Sequence, residues 1–256
     1  MASPIRLVTF DVFKTLIVPR LPIHEQYCEV FRQYLDGFDA GQTKAGKVKQ
    51  SFKQALAEMR REAPAYPKGA RPWWGDVILR TAVGAGAHPT EINENVEEII
   101  DTLMRRFSSS EGYRAYEDAI PTIETLHSRG VLTAVVSNSD FRSRLALKDL
   151  GFPAYLDPIL LSEEEGIEKP DPLIFKRALE RINATGVMPP IEPAQCAHVG
   201  DEFVDDYRGA LGAGWRAYLL HRPSEPAPTS SGPDGEELVD LRGVQVIRTL
   251  STLVNV

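Results

Sequence analysis

Cysteine is scarce in this sequence of 256 residues, which has only Cys28 and Cys196, far apart along the chain. Two cysteines at that separation favour neither a disulfide framework nor a zinc site. We therefore expect two reduced, buried thiols, as in proteins of reducing compartments.

Long apolar runs and excess positive charge are also missing. No run approaches the roughly 20 apolar residues of a membrane-spanning helix, and the start MASPIRLVTF does not resemble a signal peptide. Lys and Arg number 29 against 36 Asp and Glu, a net charge of −7. We expect no nucleic-acid partner, no membrane partner and a cytoplasmic location, with nuclear presence also compatible with the mass of 28.4 kDa. The sequence does not indicate an oligomeric state.

Strand-like and helix-like segments alternate in most of the chain. Predicted strands cover residues 5–10, 131–136, 158–161, 195–200 and 216–220, and the end, 244–253, is expected to form a short strand and a last helical turn. Helical periodicity separates these strands, with Asp171 and Pro172 as a helix start. This alternation favours an α/β fold, a Rossmann-like doubly wound parallel sheet with right-handed crossovers.

A helical insert interrupts this alternation after the first strand. Residues 22–114 show helical periodicity, with Gly- and Pro-containing breaks at 36–46, 63–72 and 84–89. We therefore predict a discontinuous core, 1–20 and 116–256, and an inserted helical domain, 21–115. The Pro-, Ser- and Gly-rich segment 221–237 is predicted to be a loop.

Polar residues gather at or just beyond four predicted strand ends. These groups are Asp11 with Thr15, Ser137 with Asn138, Lys169 in EKPDPLIF, and Asp201 with Asp206. Each alone fits a simpler role, such as a turn acid, a helix cap or a surface lysine. Together they would lie at the sheet edge where α/β proteins bind ligands.

This set suits phosphoryl transfer to an aspartate of the protein. A carboxylate that attacks a phosphoryl group meets a repulsion of about 4 kcal/mol per charge pair at about 4 Å and a dielectric constant near 20. Asp11 and Asp201 could hold Mg²⁺, Lys169 could neutralise the remaining charge, and Ser137 could bind phosphate oxygens. The expected partner is a small phosphorylated molecule.

Four segments, FDVFKTL, VVSN, KPDPLIF and HVGD with DYRGALGAG, resemble the four motifs of the haloacid dehalogenase superfamily of hydrolases. The resemblance covers residues 5–20 and 117–220, and the insert is similar to the superfamily's helical cap. The cap segment WWGDVILRT is similar to that of one subgroup, and we expect Trp73 and Trp74 to pack within the cap.

The resemblance implies a role for each matching residue. Asp11 corresponds to the nucleophile and Thr15 to the hydroxyl that orients it. Ser137, with Asn138, corresponds to the phosphate-binding motif, and Lys169 to the catalytic lysine that also contacts phosphate.

The implied ligands for Mg²⁺ are oxygen atoms of four residues. They are the carboxylates of Asp11 and Asp201, the main-chain carbonyl of Phe13, and Asp206 as an outer acid.

Phe13 departs from the pattern of the superfamily's phosphatases, which carry a second Asp there as general acid and base. Phenylalanine cannot transfer a proton, and such help is typically worth about 10²–10⁴-fold in rate. Lys14 is adjacent, but the alternation of a strand would direct it elsewhere, so we do not assign it the missing acid–base role.

Two alternatives to a phosphatase remain open. The superfamily's dehalogenases also have an aromatic residue at the position of Phe13, although they work without metal and lack the acidic segment GDEFVDD. They need a cap arginine for the halide, and the available ones are Arg32, Arg60, Arg71 and Arg105. The other alternative is a binding protein with little or no turnover.

Overall fold

The structure is a computed structural model that describes residues 3–35, 38, 42–223, 229–232, 235–238 and 240–255. The chain forms two compact units. The α/β unit comprises Met1–Val18, Ala115–Ser139 and Gly151–Val256, and the helical unit comprises Pro19–Arg114 and Asp140–Leu150. This division differs from the predicted boundaries mainly at Asp140–Leu150, which the sequence grouped with the core.

The strands and helices of both units have the following bounds. The strands are β1 (Leu7–Phe10), β2 (Ile17–Pro19), β3 (Tyr113–Ala115), β4 (Leu132–Ser137), β5 (Leu156–Leu161), β6 (Cys196–Gly200), β7 (Arg216–Leu220), β8 (Thr229–Gly232), β9 (Gly235–Leu238) and β10 (Val246–Ile247). The α-helices are α1 (Ile23–Tyr34), α2 (Gln42–Glu62), α3 (Ala70–Gly84), α4 (Pro89–Arg106), α5 (Ala119–Ser128), α6 (Arg142–Asp149), α7 (Ser162–Glu165), α8 (Pro172–Ala184) and α9 (Gly209–Gly212).

Six parallel strands form the main sheet, in the order β10-β7-β6-β1-β4-β5. The four residues of β1 are completely buried, as expected for a central strand covered on both faces. Leu7 lies between Leu132 of β4 and Cys196 of β6. The predicted α/β class with a doubly wound parallel sheet is therefore confirmed.

The ends of the predicted elements differ where local geometry is unusual. The side chain of Asp171 caps α8, accepting a hydrogen bond from the amide of Leu173 at 2.9 Å, as expected. The helix predicted after Asp201 instead opens with a wide π-helical turn, Phe203–Arg208, before α9. The pairs β2–β3 and β8–β9 form two small sheets that the sequence did not predict.

Two predicted irregular segments fall partly outside the described residues. The antiparallel pair of β8 and β9 lies within the predicted loop 221–237, while residues 224–228 and 233–234 are not described. The predicted break 36–46 is described only at residue 38 and from Gln42, where α2 begins.

The helical unit contains α1 to α4 in the region with predicted helical periodicity, together with α6. Trp73 packs against Ala55, Met59 and Val77, in agreement with a core position. Trp74 is partly buried and packs against the same cluster, and it also donates its indole N–H to Oδ2 of Asp140, at 2.7 Å. Within the described part of the chain, no helix combines the length and the apolar character needed to cross a bilayer.

Candidate active site

Asp11 follows the last residue of β1, in the α/β unit. Its main-chain N–H donates to the carbonyl of Val199 at 2.9 Å, which continues the contact with β6 beyond the end of β1. The side chain of Asp11 is 12% exposed. Asp11 is therefore fixed by the central strand and retains access to solvent.

Lys169 connects the carboxylates of two predicted site residues. Its buried ammonium lies 2.7 Å from Oδ1 of Asp11, 2.5 Å from Oδ1 of Asp206 and 2.9 Å from the carbonyl oxygen of Val136. Burial alone would lower the pKa of Lys169, but the charges and hydrogen bonds of Asp11 and Asp206 outweigh it and raise the pKa. Lys169 is thus a permanently charged group at the sheet edge.

His198 on β6 extends this network into the core. Its Nε2 lies 3.0 Å from Oδ1 of Asp206, and its Nδ1 lies 2.8 Å from Oγ1 of Thr9. Burial lowers the pKa of His198 despite the opposing effect of Asp206, so the ring is neutral at pH 7. Because a carboxylate only accepts, we assign the proton to Nε2 and infer that Thr9 donates to Nδ1.

Asp206 is held through both carboxylate oxygens. Oδ2 accepts the main-chain N–H of Glu202 at 2.9 Å, while Oδ1 accepts from Lys169 and His198. Burial would raise the pKa of Asp206, but the Lys169 charge and the His198 hydrogen bond hold it well below its usual range. Asp206 therefore suits a supporting position better than direct contact with a substrate.

Asn138 fixes the backbone of Lys169. Its side-chain amide donates to the carbonyl of Lys169 at 2.9 Å and accepts the N–H of Lys169 at 2.7 Å, and it also lies 3.3 Å from Oδ2 of Asp205. This use of both ends of the amide fits a positioning role better than the predicted phosphate contact. Ser137, which precedes Asn138 in the sequence, is the last residue of β4 and is buried.

Asp11, Asp201 and Asp206 form what we call the acidic cluster. One carboxylate oxygen from each lies within 4.8 Å of those of the other two. Burial raises the pKa of Asp201 well above its usual value, and the charges of Asp11 and Asp206 add to this rise while Lys14 opposes it. Oxygen donors at this spacing could hold a divalent cation.

Lys14 contacts the acidic cluster, contrary to the sequence argument. Its ammonium lies 3.1 Å from Oδ2 of Asp201 and 3.7 Å from Oε1 of Glu202. Strand alternation does not apply because β1 ends at Phe10, and Lys14 has a left-handed backbone with φ of 56°. The direction of the Lys14 side chain follows from the conformation of the turn after β1 and could not be predicted from strand alternation.

Thr15, which the resemblance implies to orient Asp11, lies in the turn that follows β1. Its hydroxyl is buried and has no hydrogen-bond partner among the described residues. The turn that carries it is tight, since the amides of Leu16 and Ile17 both donate to the carbonyl of Val12. The half-buried Phe13 precedes Lys14 in the same turn.

Arg222, two residues after the end of β7, holds the turn that carries Thr15. The sequence analysis did not identify this residue. Its guanidinium donates to the Thr15 carbonyl at 2.9 Å and to both oxygens of Asp118 at 3.0 Å, and it lies over the Tyr116 ring at 3.6 Å. Arg222 lies in a segment predicted as a loop, where no pattern singles it out. His198, in contrast, could have been noticed as a polar residue in an apolar strand.

The family comparison agrees with this arrangement. A family model described as haloacid dehalogenase-like hydrolase matches residues 5–214. The chain belongs to this family. This haloacid dehalogenase-like hydrolase is 36% identical over 225 residues to haloacid dehalogenase-like hydrolase domain-containing protein 3 from Mus musculus, covering 86% of this chain and 83% of that relative.

Solved structures similar to this haloacid dehalogenase-like hydrolase include one protein named as a dehalogenase and one named as a phosphatase. A 2-haloacid dehalogenase from Pseudomonas syringae pv. Tomato DC3000 aligns with a TM-score of 0.61 and 24% identity, covering 98% of this chain and 97% of that one. An HAD phosphatase from Thermococcus onnurineus aligns with a TM-score of 0.56 and 21% identity, with the same coverage. At these identities the likeness establishes the shared fold alone.

Proposed function

We propose that this chain is a Mg²⁺-dependent phosphate-ester hydrolase that works through a phosphorylated Asp11. The observation that carries this proposal is the charge arrangement, in which the ammonium of Lys169 bridges Asp11 and Asp206 while Asp201 completes the acidic cluster. An anionic phosphoryl group needs positive charge at its point of attack, and this site combines a fixed ammonium with oxygen ligands for a cation. We propose a small phosphorylated molecule as the substrate.

Asp11 is the proposed nucleophile. Lys169 contacts its Oδ1, so Oδ2 is the oxygen that attacks phosphorus, and the ester P–O bond breaks with its electron pair on the leaving oxygen. Water then cleaves the aspartyl phosphate, which restores the carboxylate and releases inorganic phosphate. Bound Mg²⁺ would supply charge stabilisation of the phosphoryl oxygens, with Asp11, Asp201 and the carbonyl of Phe13 as proposed ligands.

Proton transfer is the weak point of this site. The leaving oxygen must take its proton from water, because the benzyl side chain of Phe13 has none to give. Loss of general acid catalysis typically costs about 10²–10⁴-fold. We therefore expect slow turnover of alkyl phosphates and better turnover of aryl or acyl phosphates, whose leaving groups need no proton.

Dehalogenation is the second candidate, and Phe13 is the observation that favours it. Its halide would need an arginine, but Arg71 is already paired with Glu97 and Asp101. Arg32, Arg60 and Arg105 are exposed and remain available. Against this candidate, the superfamily's dehalogenases work without metal and lack the acidic segment, whereas this chain keeps the acidic cluster.

The test compares phosphate release across a panel of esters by the wild type and by three variants, with Mg²⁺ and with EDTA. Asp11→Asn should abolish release. Phe13→Asp should raise turnover of alkyl phosphates by about 10²–10⁴-fold, because it supplies a group that can carry the proton. Phe13→Asn is the matched control, since it has the shape of Asp without a titrating proton, and it should give no such gain.

The same preparations decide between the candidates. Release of halide from short 2-halo acids, unaffected by EDTA and lost in Asp11→Asn, would replace the phosphatase proposal by the dehalogenase. If no variant releases phosphate or halide, hydrolysis by this site is refuted, and Mg²⁺ and phosphate-analogue binding would then identify a binding protein.

A further inference from the structure

The interaction between Lys14 and Asp201 lies at the position where a cation would contact the acidic cluster. Asp201 has a side chain that is 9% exposed, and its Oδ2 lies 3.1 Å from the ammonium of Lys14. The stem of Lys14 reaches this carboxylate from the solvent side, since its own side chain is 57% exposed. A solvent-exposed single charge thus lies against a carboxylate that a divalent cation would use.

We propose that Lys14 sets the divalent-cation affinity of this site, because its ammonium binds Asp201 and must be displaced before a cation can take that carboxylate. This inference rests on the proposed function, in which Asp11 and Asp201 are the cation ligands. It concerns how tightly the cation binds and not which reaction follows.

Two features suit Lys14 to a reversible role. Its ammonium also lies 3.7 Å from Oε1 of the exposed Glu202, so after leaving Asp201 it keeps an acidic partner nearby. The other ammonium at the site, that of Lys169, is buried between Asp11 and Asp206 and makes three short contacts. Lys169 is therefore the fixed positive charge of the site, and Lys14 is the displaceable one.

The displacement has two electrostatic consequences for a divalent cation. The cation must replace the attraction between the ammonium and Asp201, and it then experiences repulsion from the ammonium held near Glu202. Both effects weaken cation binding, and solvent exposure of Lys14 keeps each of them moderate. Removing the charge at position 14 should therefore tighten cation binding.

The experiment is calorimetric titration of the full chain with Mg²⁺ alone, without substrate. Lys14→Gln should lower the Kd for Mg²⁺ by about 5- to 30-fold, while Lys14→Arg should stay within about 2-fold of the wild type because it keeps the charge. Lys14→Gly removes the charge and also suits the left-handed backbone, so it should reproduce the effect of Gln.

Lys176 supplies the matched control. It is an exposed lysine of α8, and Lys176→Gln changes the net charge by the same amount. Equal tightening in Lys176→Gln, or a Kd in Lys14→Gln and Lys14→Gly no lower than in the wild type, would overturn the inference.

Phosphate release measured on the same proteins separates this inference from the proposed function. Tighter Mg²⁺ binding by Lys14→Gln without hydrolysis of any ester would uphold the inference and refute the phosphatase. Ester hydrolysis by the wild type with an unchanged Kd in Lys14→Gln would uphold the phosphatase and refute the inference.

Discussion

Asp140 and Arg142 form a buried ion pair in the helical unit. Two oxygens of Asp140 accept from the guanidinium, at 2.8 and 2.7 Å, and the indole of Trp74 donates to the same carboxylate. The guanidinium also lies 4.3 Å from the centre of the Trp74 ring. No local sequence pattern identifies this pairing, because Trp74 and Asp140 are 66 residues apart in the chain.

This pair makes the stability of the helical unit sensitive to acid. Burial would raise the pKa of Asp140, but the hydrogen bonds and charge of Arg142, with Trp74, outweigh it and hold the pKa below its usual value. A carboxyl with a depressed pKa contributes stability above its unfolded pKa of about 3.9 and loses it as the pH falls through the lower, folded value.

We expect Asp140→Asn to lower the free energy of unfolding by about 3–5 kcal/mol at pH 7, because Arg142 is left as a buried unpaired charge. The difference from the wild type should shrink below about pH 4, as the wild-type carboxyl is protonated. Urea denaturation at pH 7, 5 and 3 measures the free energy of unfolding of the variant and of the wild type. Asp76→Asn removes an exposed carboxylate of the same helix as Trp74 and should change little. A loss independent of pH would contradict the ion-pair explanation.

The strand ends and the turns behind them position the candidate site. Alternation along the chain was enough to predict that Asp11, Ser137 and Asp201 lie at the same edge of a parallel sheet, and β4, β1 and β6 are indeed neighbours. The turns themselves were harder to predict. Lys14 in a left-handed conformation and the wide turn Phe203–Arg208 depend on contacts that no periodicity encodes.

At Gly200, the end of β6 and the turn Phe203–Arg208 lie very close together. A Cβ at Gly200, the last residue of β6, would collide with the carboxylate of Asp206 and would lie 2.6 Å from its Cβ. Only a residue without a side chain allows Asp206 to lie against the strand end while it contacts Lys169 and His198.

We expect Gly200→Ala to destabilise the protein by about 1–3 kcal/mol, because Asp206 must move away from its three donors. Gly212→Ala is the control, since no atom lies within 4 Å of the added Cβ, and it should stay within about 0.5 kcal/mol of the wild type. Chemical denaturation of both variants gives the comparison. Equal stability of Gly200→Ala and the wild type would show that Asp206 has room to move.

At the scale of the whole chain, the sequence predicted the parallel sheet more accurately than it predicted which segments belong to the α/β unit and which to the helical unit. Alternating periodicity is repeated over many residues, so the parallel sheet was predicted correctly despite errors of one or two residues at some strand ends. The grouping of Asp140–Leu150 with the helical unit depends on individual contacts, such as that between Asp140 and Trp74, which the local sequence does not reveal.

Cation binding should be visible in the stability of the whole molecule. At a Mg²⁺ concentration of about 100 times Kd, binding to the folded state alone adds about 2.7 kcal/mol, which raises Tm by about 5–10 °C for a chain of this size. Asp201→Asn should lose this rise, whereas Glu180→Gln, which removes an exposed carboxylate of α8, should keep it. Thermal unfolding with and without Mg²⁺ measures the difference. An equal rise in Asp201→Asn would place the cation elsewhere.

The central position of β1 also affects how this protein folds during its synthesis. Leu7 pairs with Leu132 and Cys196, which follow it by 125 and 189 residues. At about 5–20 residues per second, a ribosome needs roughly 6–25 s to supply the first of these neighbours. During that interval, the four residues of β1, three of them apolar, have no strand of the main sheet to pair with. The nascent chain is therefore expected to need a chaperone most between synthesis of its first strand and emergence of β4.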